Sequence, residues 1–187
     1  MSRAVSPGLT AWLVVWVLGI VAQRLLELAL SARNARRLAA RGAMEFGAGH
    51  FPLLVLVHVL YPLALIAEVV WLGARPGRSW PLWLSLWLAA QALRYAAIRA
   101  LGPRWSVRIL VLPGASRVSS GPYRWLAHPN YVAVVVELVA GPLVFGAWRT
   151  ALAISALNAV ALFIRMTEED RALDSAAPRG MTTSHSR

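Results

Sequence analysis

Apolar residues in this chain fall in blocks of roughly twenty, divided by short stretches rich in Arg, Gly and Pro. A helix of that length crosses a bilayer with every backbone hydrogen bond made inside the segment, which a chain in hydrocarbon requires. The blocks cover residues 9–30, 51–72, 80–101, 132–145 and 148–166. They predict an all-α, polytopic integral membrane protein with about five transmembrane helices, one domain over residues 1–175 and a disordered tail over 176–187. The first block runs on into a polar helical stretch to residue 40 and has no clear small-residue cleavage site, so it reads as a retained helix. Ser79 is placed to cap the third block, and Trp80, Trp83 and Trp87 share one of its faces. The fourth block is short unless its helix begins near Pro129, a permitted first-turn position, and Pro142 should kink or end it.

Charge sets the orientation. The formal net charge is +11 and all nineteen basic residues are Arg. In a soluble chain that charge would suggest nucleic acid; here the Arg residues lie between apolar blocks, where they meet lipid headgroups, and no nucleic-acid partner is expected. Thirteen of them flank one side of the blocks and four the other. Positively charged loops stay in the cytoplasm, so the N-terminus is expected outside and the C-terminus inside a bacterial cytoplasmic membrane. The absence of Cys excludes disulfides, thiolate metal sites and a Cys nucleophile.

Ionisable groups within such blocks cost about 2.5–3.5 kcal/mol unless paired or used. Arg24 and Glu27, three apart, can pair on one helix face, and Asn34 continues that face. Glu137 needs a partner, for which Arg94 and His58 are candidates. Glu68, near the outer end of the second block, is expected to reach the interface. Glu45, His50 and His58 raise a metal site, but no third ligand at suitable spacing accompanies the histidines and none is expected. Arg24, Glu27, His50, His58, Arg94 and Glu137 are therefore expected to form a structural or substrate-facing polar network.

A second group of polar residues lies at the cytoplasmic level. Tyr123, Arg124, His128, Asn130 and Tyr131 run directly into the fourth block, while Arg165, Glu168, Glu169 and Asp170 follow the fifth. The two strips meet at one membrane level, the mouth of an embedded site. Residues 107–112 have strand-like composition but are too short and isolated for a sheet, and are expected to lie on the membrane surface over that mouth.

Three segments together carry a family resemblance: Gly121-Pro-Tyr-Arg-Trp-Leu-Ala-His-Pro-Asn-Tyr131, Leu101-Gly-x-Arg-Trp-Ser106 and Arg165-x-x-Glu-Glu-x-x-x-Leu173. The chain resembles the isoprenylcysteine carboxyl methyltransferase family over about residues 20–174. Arg24-Leu-Leu-Glu27, Asn34 and Gly42-Ala-x-Glu-x-Gly-x-x-His50 are similar to its bacterial branch, which includes O-methyltransferases of alkylresorcinols and alkylpyrones. The resemblance implies S-adenosylmethionine as cofactor, held by His128, Pro129 and Tyr131 with Tyr123 completing the pocket. It also implies that Arg165 with Glu168 or Glu169 acts near the reacting end of a lipid, and that catalysis resides in about residues 101–174. Ala133 stands where the family often has Gly.

Methyl transfer from a sulfonium chiefly requires alignment of the reactants. A carboxylate acceptor needs an Arg to hold it; a phenol, with a pKa near 10, gains from a base such as Glu168, Glu169 or His128. The acceptor lipid is expected to enter sideways from the bilayer. A non-enzymatic transport or scaffold protein is the alternative, and it leaves the convergence of His128, Tyr131, Arg165 and Glu168 unexplained. Oligomeric state has no sequence signal. Reporter fusions after Arg41, Arg117 and Ser175 should all report cytoplasm; an external signal from any one contradicts the orientation.

Overall fold

The computed structural model describes residues 5–176 except 48, 50 and 117, with side chains left aside at 170 and 173–176. His50 and residues 177–187 of the expected tail therefore lie outside the described residues. Five helices carry the fold: α1 (Pro7–Ala39), α2 (Phe51–Val70), α3 (Trp80–Leu101), α4 (Pro129–Val144) and α5 (Trp148–Ala176). Two short strands, β1 (Met44–Phe46) and β2 (Ile109–Val111), lie in the connections. α1, α2 and the Trp148–Glu169 stretch of α5 are long and apolar enough to cross a membrane. α3 has the length but carries Gln91, Arg94 and Arg99, and α4 has only 16 residues.

Local chemistry explains the helix ends. The Ser6 hydroxyl accepts from the Leu9 amide ahead of Pro7, giving α1 a side-chain cap and a first-turn proline. Ser79 does not cap α3 in this way: its hydroxyl instead accepts from the Trp83 indole at 3.2 Å. Pro142 falls in the last turn of α4, which ends two residues later at Val144. Gly146, at a φ of 70°, turns the chain into α5.

Glu68 does not reach the interface. It is 3% exposed, and its carboxylate accepts from the backbone amides of Arg149 and Thr150 at 3.1 and 2.6 Å. It thus supplies, from α2, the negative charge and acceptors that the first turn of α5 requires. Residues 107–112 are likewise not isolated. β2 pairs antiparallel with β1, matching Met44 to Val111, Glu45 to Leu110 and Phe46 to Ile109. The connection after α1 provides the partner strand, and Glu45 pairs with Arg108 at 3.1 Å.

α3 packs on α4, α4 on α5 and α5 on α2. α1 joins them through side chains. In its N-terminal half Trp12 meets Trp80 edge-on at 5.5 Å and Phe145 at 4.8 Å, while Trp16 meets Trp87 at 4.5 Å. Deeper in, Arg24 binds Glu27 at 2.6 Å and also Glu137, and Arg94 binds Glu137 and approaches Glu27 at 3.4 Å. Gln23 extends the network, donating to Glu27 at 3.0 Å and to Gln91 at 2.8 Å. Both carboxylates thus serve both guanidiniums, and the four charges cancel. His58, the other expected partner of Glu137, turns its Nδ1 to the Leu54 carbonyl at 2.7 Å.

Removing one member of such a closed set strands the others without compensation. Glu137→Ala is expected to destabilise the detergent-solubilised protein by about 3–5 kcal/mol. Thermal or denaturant midpoints measure this, and Arg94→Leu combined with Glu137→Leu should lose less than the two single changes added together.

Candidate functional site

α4 begins at Pro129, whose fixed φ suits a first helical position, and His128 precedes it without a side-chain cap. The His128 and Tyr131 rings, one turn apart, stack at 4.9 Å with 3° between planes. Tyr131 then reaches α5. Its hydroxyl accepts from Arg165 Nε at 2.8 Å and donates to the Glu169 carboxylate. The four-residue step from Arg165 to Glu169 is one turn of helix, so both can face the same tyrosine.

Arg165 is 8% exposed, and its second hydrogen bond goes to the Val107 carbonyl at 2.6 Å. No carboxylate lies within ion-pair distance of it among the described residues. Arg165 and Glu169 are instead linked through the Tyr131 hydroxyl. Glu168 faces away and pairs with the exposed Arg171 at 2.9 Å. Of the two glutamates, only Glu169 joins the arrangement.

The connection before α4 closes this end. Ser31 of α1 accepts from the Val107 amide at 3.0 Å and lies 3.2 Å from the Ser106 hydroxyl. Asn34 donates to the Trp105 carbonyl at 2.8 Å. These bonds hold residues 105–107 against α1 and so fix the carbonyl that anchors Arg165. Tyr123, half-buried in the short helical turn Gly121–Arg124, has its hydroxyl pKa pushed up to about 12 by burial and then by the nearby Glu169 charge. It therefore stays protonated, and able to donate, across the neutral range.

Beside this polar end lies a cavity of about 460 Å³ between α1, α2 and the α4–α5 hairpin. Tyr131, Arg165, Ser106 and Val107 line the end nearest this arrangement, and Arg24, Glu27, His58, Arg94 and Asn158 line the part further along the helices. The remaining walls are mostly aliphatic. Leu25 of α1 and Val59 and Leu63 of α2 line the cavity while also being more than half exposed, so it reaches an apolar outer surface of the bundle between α1 and α2.

Members of both polar groupings expected from the sequence border one cavity: Arg24, Glu27, His58 and Arg94 of one, Asn130, Tyr131 and Arg165 of the other, whereas Tyr123, His128, Glu137, Glu168 and Glu169 do not line it. Sequence reasoning missed Asn158, whose side chain is 1% exposed with Oδ1 unpartnered, and Gln91, the bridge from α3 to Gln23. An Asn in the middle of the apolar fifth block was the available signal for the first. Gln91 had only its place in the third block.

Residues 83–175 match the profile of the isoprenylcysteine carboxyl methyltransferase (ICMT) family. The uncharacterized protein YpbQ of Bacillus subtilis is 39% identical over 162 residues, which cover 87% of this chain and 95% of that protein. An uncharacterized protein of Haemophilus influenzae is 28% identical over 161 residues, covering 86% of this chain and 94% of its own. No solved structure matches. With the matched segment containing Tyr131, Arg165 and Glu169, and a relative aligned along nearly its whole length, the chain belongs to the ICMT superfamily of S-adenosylmethionine-dependent methyltransferases.

Proposed function

We propose that the protein transfers a methyl group from S-adenosylmethionine to an oxygen of a membrane-embedded lipid, either a carboxylate or a phenolic or enolic hydroxyl. The observation that carries this reading is the meeting of Tyr131, Arg165 and Glu169 at the polar end of an apolar-walled cavity. Such a cavity suits an amphiphile, with the tail among Val17, Val59 and Leu63 and the polar head at Arg165. Prenylcysteine-like lipids and the alkylresorcinol or alkylpyrone class both have this form.

The residues at the mouth also fit the cofactor. Asn130 has a buried side-chain oxygen without a partner, and at the uncapped start of α4, where Pro129 has no N–H and the Tyr131 and Val132 amides donate to the His128 carbonyl, the Asn130 amide is the backbone donor suited to a carboxylate. The stacked His128–Tyr131 rings supply π-faces suited to a cation. His128, Pro129, Tyr131 and Tyr123 would therefore hold the cofactor. When bound, it supplies an electrophilic methyl: the acceptor oxygen forms the new C–O bond as the C–S bond breaks and the sulfonium charge disappears.

Arg165 orients the acceptor oxygen, and its lack of a carboxylate partner favours an anionic nucleophile. Tyr131 joins Arg165 to Glu169, so each is held by the other through one hydroxyl. With a hydroxyl acceptor, Glu169 takes the proton, directly or through Tyr131. The aliphatic walls keep water from competing for the methyl group. In this reading all five helices lie in a bacterial cytoplasmic membrane, N-terminus outside and the mouth facing the cytoplasm.

The test is to incubate purified full-length protein with methyl-labelled cofactor and a panel of lipid carboxylates and phenols, following label in the lipid. Arg165→Ala should lower kcat by at least about 100-fold on a productive acceptor, and Glu169→Gln should do so on a hydroxyl acceptor. Both should still bind cofactor. Glu168→Gln should remain near wild type, because its carboxylate is engaged with Arg171. His128→Ala should weaken cofactor binding in a protein that keeps its thermal midpoint. Transfer to no member of the panel, or equal losses at Glu168 and Glu169, would contradict the assignment.

A further inference from the structure

We infer that the cavity reads a second polar group on its ligand, a hydroxyl carried part-way along the apolar chain, through Asn158 and His58 about 10 Å deeper than Arg165. This rests on the reading of the cavity as a lipid-acceptor site and specifies which amphiphiles it takes.

Three helices give the depth independently. Asn158 precedes Arg165 on α5 by seven residues, a rise of about 10 Å. His58 follows Phe51 on α2 by seven residues, again about 10 Å, and Phe51 lies at the mouth, where the Arg108 guanidinium sits 5.6 Å over its ring. Glu137 follows Tyr131 on α4 by six residues, about 9 Å. A second polar level therefore lies below the first, with aliphatic wall beyond it at Val17, Pro62 and Leu63.

At that level Arg24, Glu27, Arg94 and Glu137 satisfy one another's charge. Asn158 and His58 do not share in this. Asn158 is 1% exposed, lines the cavity, and has no partner for Oδ1. A buried amide oxygen left unpaired is a standing cost that a bound group can remove. His58 Nδ1 lies 2.7 Å from the Leu54 carbonyl, which can only accept, so Nδ1 carries the proton. In the neutral ring Nε2 is then an acceptor, and no described residue donates to it.

α2 and α5 pack together, and both side chains line the same cavity. A hydroxyl between them can donate to Asn158 Oδ1 or His58 Nε2 and accept from the Asn158 amide nitrogen. An unsubstituted chain leaves all of these unpaired, which is how a hydrogen-bonding site rejects an analogue lacking the matching group. The ligand class is a long-chain carboxylate or phenol bearing one hydroxyl on its chain.

Full-length protein in nanodiscs would be loaded with a fluorescent long-chain carboxylate and titrated with the parent carboxylate and its mono-hydroxylated positional isomers. The isomer with its hydroxyl about 10 Å from the head should displace the probe about three- to tenfold more tightly than the parent. Isomers hydroxylated near either end should not. Asn158→Leu, of similar volume, should erase the preference while the parent binds as before, and His58→Phe should reduce it. Equal affinity for all isomers in the wild type overturns the inference, with no need for a folded variant; so does a preference that survives Asn158→Leu. A positional preference without methyl transfer to any of these lipids or to the corresponding long-chain phenols would overturn the methyltransferase reading and leave this one standing. Transfer without a positional preference does the reverse.

Discussion

Two guanidiniums and two carboxylates, buried where α1, α3 and α4 meet, govern the arrangement of this bundle. Each charge alone would be prohibitive at that depth. Together they form a closed set in which Glu137, 1% exposed, takes both Arg24 and Arg94. The consequence for function is geometric. α1 is held towards α3 and α4 at this point, while the space between α1 and α2 stays open as the cavity. Glu68 performs a comparable task at the other end, tying α2 to the start of α5. A charged set at one level and a carboxylate cap at another fix five helices around a space that apolar packing alone would tend to close.

The mouth depends on a different economy of bonds. Tyr131, in the first turn of α4, makes three relations: its ring stacks on His128, its hydroxyl oxygen accepts a hydrogen bond from Arg165, and its hydroxyl donates one to Glu169. The resemblance gave Tyr131 a cofactor-binding role and Arg165 with a glutamate a separate role at the acceptor. The hydrogen bonds join the two through one hydroxyl, so the two roles the resemblance implies would meet at Tyr131. Val107, bonded to Ser31 through its amide and to Arg165 through its carbonyl, ties that junction back to α1.

Much of the helical layout was legible because long apolar blocks have few alternatives. The start of α4 at Pro129 and its end near Pro142 followed from proline's fixed φ and missing donor. The Arg24–Glu27 pair and the Arg94 partner of Glu137 followed from spacing and the cost of isolated charge. What escaped required knowledge of distant neighbours. Glu68 reads as an interfacial carboxylate until α5 is seen to begin against it. The strand at Ile109–Val111 reads as isolated until Met44–Phe46 is seen beside it. The choice between Glu168 and Glu169 is invisible in a helix-end sequence, since either lies within one turn of Arg165; the position of Tyr131 separates them.

The central claim is that one cavity holds a lipid with its head at Arg165 and its tail between α1 and α2. Photo-crosslinking measures this most directly, using a long-chain carboxylate with a diazirine at its far end, bound to protein in nanodiscs and mapped by mass spectrometry. The account predicts saturable label on the deep cavity residues Val17, Leu63 and Ile66, lost on competition with unlabelled lipid. Label confined to outward-facing Leu26, Trp71 and Phe163, unaffected by competitor, would contradict it.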